Sequence, residues 1–503
     1  MTRESTAADP GSDVGLGWLG VARLGLVQAM LGGVVVLTTS TLNRVMVVEL
    51  ALPALLPGLL VALHYAVQLT RPRMGFGADR TARRTPWIVG GMAVLATSGW
   101  LAAVATAWMS HDATAGIALA AVAFAGVGLG VSAAGTSLLT LMATRVQASR
   151  RAGAAAVVWV MMIAGFAVTA GVAGRFLDPY TPSRLMLVSG TVSVIALVVT
   201  MLSLWRLESG APALRRAENE AMTSQRFFAA LAEVWADAQA RRFTVFVFAS
   251  MVAYSAQDLI LEPFAGLVFG FSPGETTRLS GVQHGGTLAG MLLAAMAGRR
   301  VAGAELGSLR AWTVGGCIAS GVALLGLVVG GLFAAPDWPL RANVFLMGAA
   351  NGAFSIAAIG SMMALAAGPA RAAGPAGGVD ASGAGADADA SATSSPSAPP
   401  GGPSGREGTR MGLWGAAQAI GFAGGGVLGA VASDVTRWLT GSPALAYALV
   451  FAGEAVLFVV AARLALRLRD GPATPAAAPR AVDLGAHAAL AVSPSSTSTR
   501  ERP

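Results

Sequence analysis

Two acidic side chains inside one apolar segment are the strongest candidates for chemistry in this sequence. Asp258 and Glu262 are four residues apart, so on a helix they share one face. Asp258 lies about 22 Å along that helix from Phe243, where the apolar segment begins. Ionisable groups at such a depth in a bilayer usually face a cavity or a polar partner. Pro263 follows directly and frees a backbone carbonyl, which favours a broken helix of the kind found at transporter sites.

A second interpretation of the two acids is structural. Asp258 and Glu262 would then lie near the outer interface of the membrane and pair with Arg278 or Arg44. Counting residues along the helix places Arg44 near the outer surface of the membrane. Glu49, the acid nearest to Arg44 along the chain, is five residues away, so an α-helix would give these two side chains only a loose contact.

The composition indicates an integral membrane protein. Hydrophobic residue types make up 54% of the 503 residues, charged types make up only 12%, and the mean hydropathy is +0.64. An average soluble protein carries roughly 25% charged residues. The net charge of +8 does not indicate nucleic-acid binding, because the arginines flank apolar segments as the positive-inside rule predicts.

Twelve apolar segments are long enough to cross a bilayer, which takes about 20 residues. They form two sets of six on either side of a charged stretch, which is the arrangement of major-facilitator transporters. We therefore predict an all-α membrane protein with two six-helix halves. The predicted spans are 24–45, 50–70, 87–108, 114–142, 153–174, 184–205, 243–270, 277–298, 310–333, 341–367, 410–434 and 443–466.

The arginine distribution predicts the orientation and the domain borders. Alternate loops carry most of the arginines, so both termini are expected in the cytoplasm of a bacterial inner membrane. The stretch 368–408 and the C-terminal tail are rich in Ala, Gly, Ser and Pro and are predicted to be disordered. The predicted segments are a cytoplasmic N-terminal piece 1–22, a first half 23–205, a cytoplasmic linker 206–242, a second half 243–467 and a tail 468–503.

Other polar side chains inside the predicted spans are further candidates for a binding site. Gln283 and His284 lie early in span eight, where the histidine either lines the same outer cavity as Asp258 or lies above a glycine-rich helix contact. Asn351 in span ten and Glu454 in span twelve lie in mid-membrane by counting. The glutamate is the more costly of the two to bury, so it most needs a partner.

No metal site and no disulfide are predicted. Cys317 is the only cysteine, and the four histidines are scattered without ligand spacing. A stripe of small residues in span eleven predicts close helix packing instead of a binding site. The stripe consists of Gly421, Gly425 and Gly429.

The loop after span two carries a conformational motif. It reads Gly75-Phe-Gly-Ala-Asp79-Arg80-Thr-Ala-Arg83-Arg84, close to the Gly-x-x-x-Asp-Arg-x-Gly-Arg-Arg signature of major-facilitator proteins. The motif predicts that Asp79 pairs with a nearby arginine at the cytoplasmic helix ends and stabilises one conformational state. The alternative is an ordinary positive-inside loop.

Two longer blocks resemble the PucC family of phototrophic bacteria. The first is 42–54, which reads LNRVMVVEL and then LPA and contains Asn43, Arg44 and Glu49. The second is 256–266, which reads AQDLILEPFAG and contains Gln257. It continues to LSGVQ at 279–283. The blocks occupy equivalent places in the two halves. The resemblance covers about residues 20–467, apart from the stretch 368–408.

The resemblance implies a membrane factor that receives or hands over bacteriochlorophyll and helps light-harvesting complexes to assemble. The family is major-facilitator-like, and it includes LhaA and proteins labelled as a bacteriochlorophyll synthase chain, which 38–68 resembles most. The implied partners are light-harvesting α and β polypeptides, the pigment or its synthesis enzymes, and the lipid bilayer of the photosynthetic inner membrane. No cofactor is required, and bacteriochlorophyll is the implied bound ligand.

His64 is a candidate ligand of that pigment. Gln68 lies one turn later on the same face, and His64 is about 10 Å from the cytoplasmic end of span two. A neutral imidazole can ligate the magnesium of a chlorin ring while its other nitrogen binds a partner. The alternative is a hydrogen-bonded histidine in helix packing.

Two other functions stay open. A proton-coupled transporter of a small solute would use Asp258, Glu262 or Glu454 and would need a polar central cavity, whereas the few polar side chains in the spans favour a bulky apolar ligand. An enzyme or enzyme subunit of pigment synthesis would need aspartate clusters that bind magnesium and diphosphate. No span or short loop carries such a cluster, so no catalytic residue is assigned and no enzyme is predicted.

Overall fold

The computed structural model is almost entirely helical. It describes residues 16–71, 74, 83–147, 150–208, 235–236, 238–296, 300–301, 304–305, 307–335, 337–367 and 407–468. The predictions for the N-terminal fifteen residues, most of the linker 206–242, most of the stretch 368–408 and nearly all of the tail fall on residues outside those ranges.

Twelve long helices occupy the positions of the twelve predicted spans in the described part of the chain, which confirms the predicted fold class. Their sequences are apolar nearly all round, as expected for helices that face both lipid and one another. In chain order they are α1 Trp18–Glu49, α2 Leu55–Thr70, α3 Thr85–Trp108, α4 Ala113–Arg145, α5 Arg151–Phe176, α6 Pro182–Leu204, α7 Ala238–Phe269, α8 Pro273–Ala294, α9 Leu309–Ala334, α10 Leu340–Ala367, α11 Glu407–Thr440 and α12 Pro443–Leu466. A short antiparallel pair, β1 Arg300–Val301 and β2 Ala304–Glu305, lies between α8 and α9.

Ten of the described helices are long and apolar enough to cross a membrane by length and composition. The other two are α2, which is shorter, and α8, which is more polar. Helix α8 packs between α5 and α10 and buries its threonines and its Gln283–His284 pair there. A helix enclosed by other helices does not need a lipid-compatible surface, which explains its lower hydropathy.

The odd-numbered helices finish at one end of the bundle, which we call the short-loop end, and begin at the other, which we call the arginine-rich end. Several helices that start at the short-loop end carry a side-chain cap on their free backbone N–H groups. Asp112 accepts a hydrogen bond from Ala115 N (3.0 Å) at the start of α4, and Ser272 forms a capping box with Glu275 at the start of α8.

Small residues bring helices into close contact, as in other membrane bundles. The predicted glycine stripe of α11 packs against α7, where a Cβ on Gly425 would lie 2.4 Å from the Val252 carbonyl oxygen. Between the halves, a Cβ on Gly281 of α8 would lie 2.8 Å from the backbone nitrogen of Gly171 in α5. Any larger side chain at these two positions would push the helices apart.

Helix α1 contacts α7 and α8 of the other half, and the halves meet most extensively along two helix pairs, α2 with α11 and α5 with α8. In each pair an aspartate of one half caps the first turn of a helix in the other half. Asp434 of α11 accepts hydrogen bonds from Ala54 N (3.0 Å) and Leu55 N (2.8 Å). Asp178, which follows α5, accepts one from Gly274 N (3.0 Å).

Arginines accompany both caps at the short-loop end. Arg278 of α8 lies 3.7 Å from the Asp178 carboxylate, and Arg437 lies 3.1 Å from that of Asp434. A carboxylate on a helix N-terminus is favoured by the positive end of the helix dipole. The two caps therefore hold the halves together at this end with the same chemistry in both places.

We expect Asp434→Ala and Asp178→Ala each to lower the free energy of unfolding by about 0.5–2 kcal/mol, because each leaves helix N–H groups without their acceptor. Combined, they should also loosen the contact between the halves. A cysteine at the buried position Thr277 of α8 should then react faster with a maleimide in the double variant.

Asp112→Ala is the matched control, because Asp112 caps α4 within one half. It should lower the melting temperature of the detergent-purified protein without changing the labelling rate at position 277. An unchanged labelling rate in the Asp178→Ala/Asp434→Ala variant would show that the caps do not hold the halves together.

Candidate functional site

The site is built on an irregular helix, α1. Residues Leu37–Thr41 and Val45–Glu49 form π-helical turns on either side of a short α-helical stretch, Leu42–Arg44. π-Helical turns are rare and are found frequently at functional sites. The second of them lies in the first of the two blocks that carry the family resemblance, and the other directly precedes that block. Between them, Asn43 and Arg44 contact the second half.

Asn43 bonds to a backbone carbonyl that Pro263 leaves free. In an α-helix the carbonyl of Leu259 would accept from the N–H of residue 263, but proline has none. The Asn43 side-chain amide of the first half donates to the Leu259 carbonyl of the second. Both groups are buried. Pro263 therefore leaves the Leu259 carbonyl without a helical donor, as predicted, and Asn43 of the other half donates a hydrogen bond to it.

Arg44 lies beside this contact and is 2% exposed. Its guanidinium forms an ion pair with Glu49 and donates to the Phe271 carbonyl at 2.7 Å. The prediction of a loose Arg44–Glu49 contact is wrong, because the π-helical turn brings residues five apart onto one face. Gly266 of α7 makes room for the guanidinium, since a Cβ there would lie 3.1 Å from Arg44 Nη2.

Tyr180, in the segment between α5 and α6, borders the same ion pair. Burial raises the pKa of its phenol to about 12, the Glu49 carboxylate adds to that rise, and Arg44 opposes it. The tyrosine is therefore neutral at physiological pH.

Asp258 and Glu262 have different surroundings although they share a helix face. Asp258 is partly exposed and accepts a hydrogen bond from Gln283 Nε2 at 2.8 Å. Glu262 is 2% exposed, and its polar neighbours are Thr276, Arg44 and Asp258. Among the described residues neither acid forms an ion pair, because Arg44 pairs with Glu49 and Arg278 pairs with Asp178.

His284 faces the first half. Its Nδ1 lies 2.9 Å from the Ser280 carbonyl, to which it donates, and its ring meets Phe166 of α5 edge-on at 5.0 Å between centroids. The neighbouring Gln283 bonds to Asp258 of the same half, so α8 directs one predicted residue towards α5 and the other towards α7. A pair of hydroxyls, Thr41 and Thr277, bridges α1 and α8 nearby at 3.1 Å.

His64 is buried in α2 and bonded to its predicted neighbour. Gln68 Nε2 donates to His64 Nε2 at 2.8 Å, which assigns the ring proton to Nδ1. Arg71 in turn donates to Gln68 Oε1. With 1% of its surface exposed, His64 has no open face in this conformation, so its role as a pigment ligand stays a prediction.

Aromatic rings connect His64 with the neighbourhood of Asp258. The rings of Tyr65 and Phe422 are 5.4 Å apart, and those of Phe422 and Tyr254 are 5.7 Å apart. Tyr254 lies one turn before Asp258 on α7. These three partly exposed rings come from both halves, and the phenols of Tyr65 and Tyr254 are neighbours of the Asp258 carboxylate. Sequence reasoning missed them.

The remaining candidates do not join this site. Gln257, Asn351 and Glu454 turn into the core of the second half. Gln257 is adjacent to Asp258, but one residue along a helix rotates a side chain by about 100°, so the two point to different surfaces.

Only part of the loop motif lies in the described residues, since Gly75, Asp79 and Arg80 fall outside them. Arg83 and Arg84 lie at the start of α3. The backbone N–H groups of Arg84 and Thr85 donate to the carboxylate of Glu208, at 3.1 and 2.8 Å. Sequence reasoning missed this acid, and the only signal for it was a lone glutamate just after span six.

A sequence model of the family described as PUCC protein matches residues 41–395 and 400–471. This chain belongs to the PucC family. It is 48% identical over 452 residues to the "Bacteriochlorophyll synthase 44.5 kDa chain" of Rhodobacter capsulatus, which covers 90% of this chain and 95% of that one. It is 28% identical to "Protein PucC" of the same species, over 89% of this chain and 91% of the relative. The blocks that carry Asn43 and Pro263 are thus parts of a PucC protein.

Solved structures that resemble the chain include transporters. A D-xylose-proton symporter gives a TM-score of 0.62 at 14% identity, over 90% of this chain and 98% of that one. The nucleoside transporter NupG gives 0.58 at 13% identity, over 89% and 99%. At this identity the likeness establishes the major-facilitator fold and nothing about substrate.

We expect Asn43→Ala to lower the free energy of unfolding by about 1–3 kcal/mol, because it leaves the Leu259 carbonyl buried without a donor. Pro263→Ala restores an N–H to α7, so the loss from Asn43→Ala should be smaller in that background. A double-mutant cycle on the detergent-purified protein measures the coupling.

Asn343→Ala is the matched control, since Asn343 Nδ2 donates to the Ala323 carbonyl (2.9 Å), which no proline frees. Its effect on the free energy of unfolding should add to the effect of Pro263→Ala. Simple additivity of Asn43→Ala and Pro263→Ala would contradict the assigned contact.

Proposed function

We propose that this protein handles bacteriochlorophyll and assists the assembly of light-harvesting pigment–protein complexes in a phototrophic bacterium. Membership of the PucC family and the 48% identity to a relative named as a bacteriochlorophyll synthase chain carry the proposal. Its partners would be the pigment, its synthesis enzymes and light-harvesting α and β polypeptides, within the photosynthetic inner membrane.

The surface between the halves suits a large, mostly apolar ligand. Aromatic faces from α2, α7 and α11 lie near one partly exposed carboxylate, Asp258, which Gln283 orients. Aromatic rings contribute broad contact area to flat ligands, and a few placed polar groups fix their orientation. His64 is the proposed magnesium ligand, and it would need Gln68 to rotate away from its Nε2.

The proposed role is non-catalytic. Both termini are proposed to lie in the cytoplasm. The fold is that of transporters, and the spans and short loops of the sequence lack an aspartate cluster for diphosphate. Most described arginines lie at the arginine-rich end, which we place in the cytoplasm. The domain borders at 22, 205, 242 and 467 belong to the same proposal.

A second candidate is a proton-coupled transporter of a small solute. The observation that favours it is the Asp258–Gln283 pair, a carboxylate held at the interface between two halves that resemble those of solute transporters. The same carboxylate can take up a proton or contact a polar solute, so the pair by itself does not separate the two functions.

The tagged protein purified in mild detergent from phototrophically grown cells should carry a near-infrared bacteriochlorophyll absorption band at a fixed ratio to protein. His64→Ala should remove most of that band, because it removes the proposed magnesium ligand. His111→Ala, at an exposed histidine, is the control and should leave the band unchanged.

A colourless protein that co-purifies with antenna polypeptides would replace pigment handling with a scaffold role. A colourless protein without partners would favour the solute transporter. A band that survives His64→Ala would overturn His64 as the ligand but not the function.

Asp258→Ala should lower the level of assembled light-harvesting complexes in the cells several-fold, because the oriented carboxylate of the site is lost. The protein level must be measured in parallel by immunoblot. Asp112→Ala removes a carboxylate outside the site and should leave the complexes near the wild-type level. Normal complex levels in the Asp258→Ala strain would exclude this residue from the function.

A further inference from the structure

Three polar side chains are embedded in the apolar core of the second half. Gln257 of α7 and Asn351 of α10 are fully buried, and Glu454 of α12 is 3% exposed. The residues one turn away on the same faces are core hydrophobics, such as Phe354 after Asn351 and Phe458 after Glu454. None of the three therefore faces the site between the halves.

Aromatic contacts place Asn351 and Glu454 at one level. The rings of Phe354 and Phe458 are 5.6 Å apart, and helices α10 and α12 run in the same direction. Asn351 and Glu454 precede those rings by three and four residues, so both lie about 4.5–6 Å from the contact towards the short-loop end.

Gln257 reaches the same level from the opposite direction. The rings of Phe264 in α7 and Phe451 in α12 are 5.0 Å apart, and these two helices are antiparallel. From that contact, Gln257 lies about 10 Å and Glu454 about 4.5 Å towards the arginine-rich end, so they are within roughly one helical turn of each other.

The polar atoms of these three side chains are largely unsatisfied. Ser320 of α9 donates to Asn351 Oδ1 at 2.8 Å. Asn351 Nδ2, both polar atoms of Gln257 and both carboxyl oxygens of Glu454 are buried without a hydrogen-bond partner. Burying a carboxyl group in an apolar core costs more free energy than burying a hydrophobic side chain of similar size, so its presence there points to a function.

No cation compensates Glu454 within the described residues. The arginines on the helices around it lie at the helix ends, for example Arg341 of α10 and Arg437 of α11. The other titratable groups among the described residues of this core are the Cys317 thiol of α9, the Tyr447 phenol of α12 itself and the Tyr254 phenol of α7, which packs against its edge. Asp258 and Glu262 of α7 face α8 and the first half.

We propose that Glu454, with Gln257 and Asn351, forms a proton-binding site inside the second half, separate from the site between the halves. The proton comes from water, bonds to one carboxyl oxygen and leaves to water again. The two side-chain amides supply N–H donors when the carboxyl is ionised and carbonyl acceptors when it is protonated. Helix α7 carries both Gln257 and Asp258, so movement of that helix changes both sites together. This inference does not depend on whether the ligand is a pigment or a small solute.

Infrared spectroscopy of the full-length protein in detergent, recorded across a pH series in H₂O and D₂O, tests the site. We expect a carbonyl-stretch band of a protonated carboxylic acid that shifts in D₂O, disappears as the pH is raised and is absent from Glu454→Gln. Gln257→Leu should move the band to higher frequency, because a hydrogen-bonding partner is lost. Gln283→Leu, at the partner of Asp258, should leave it in place.

Two outcomes would overturn the proposal. One is a set of protonated-carboxyl bands unchanged in Glu454→Gln. The other is a Glu454 band that neither exchanges in D₂O nor responds to pH while the protein stays folded, which would make the residue a permanently neutral core group. If Glu454→Gln does not fold, Glu454→Asp replaces it, and a proton site requires that the band shift in that variant.

Discussion

One hydrogen bond between the halves depends on a proline and joins α1 of the first half to α7 of the second. Pro263 deprives the Leu259 carbonyl of its helical donor, and Asn43 of the other half supplies one. A buried carbonyl without a donor is costly, so α1 must come within hydrogen-bonding distance of α7 at this point. The π-helical turns around Asn43 make that approach, and the second of them also places Glu49 against Arg44.

Away from this hydrogen bond, the two ends of the bundle differ in how their helices are capped. At the short-loop end, Asp178 and Asp434 cap helices of the opposite half, so the halves share their polar contacts. At the arginine-rich end, Glu208 caps α3 within its own half. The helix caps that join the halves in the described residues thus lie at the short-loop end.

Hydropathy and residue types predicted the helices, the two halves and the importance of Pro263, because each of these follows from local sequence. Arg44–Glu49 was misjudged because the spacing rule assumed 3.6 residues per turn. Asp434 and Glu208 were missed because their partners are far away along the chain, and an isolated acid near a span end has no distinguishing pattern. Helix geometry separates Gln257 from Asp258, but only the packed structure shows which neighbouring helices each of them faces.

The cap from Asp434 to α2 also bears on the order of synthesis. The bonded residues are about 380 positions apart, so α2 enters the membrane long before its acceptor has been translated. The cap from Asp178 to α8 has the opposite order, because the acceptor Asp178 is synthesised before the Gly274 N–H that it binds. The stretch of chain between them is much shorter. The first half must therefore persist in the nascent chain with the start of α2 incomplete, and insertion of α11 is the event that completes it. A chain that ends before α11 therefore lacks the acceptor for the first backbone N–H groups of α2.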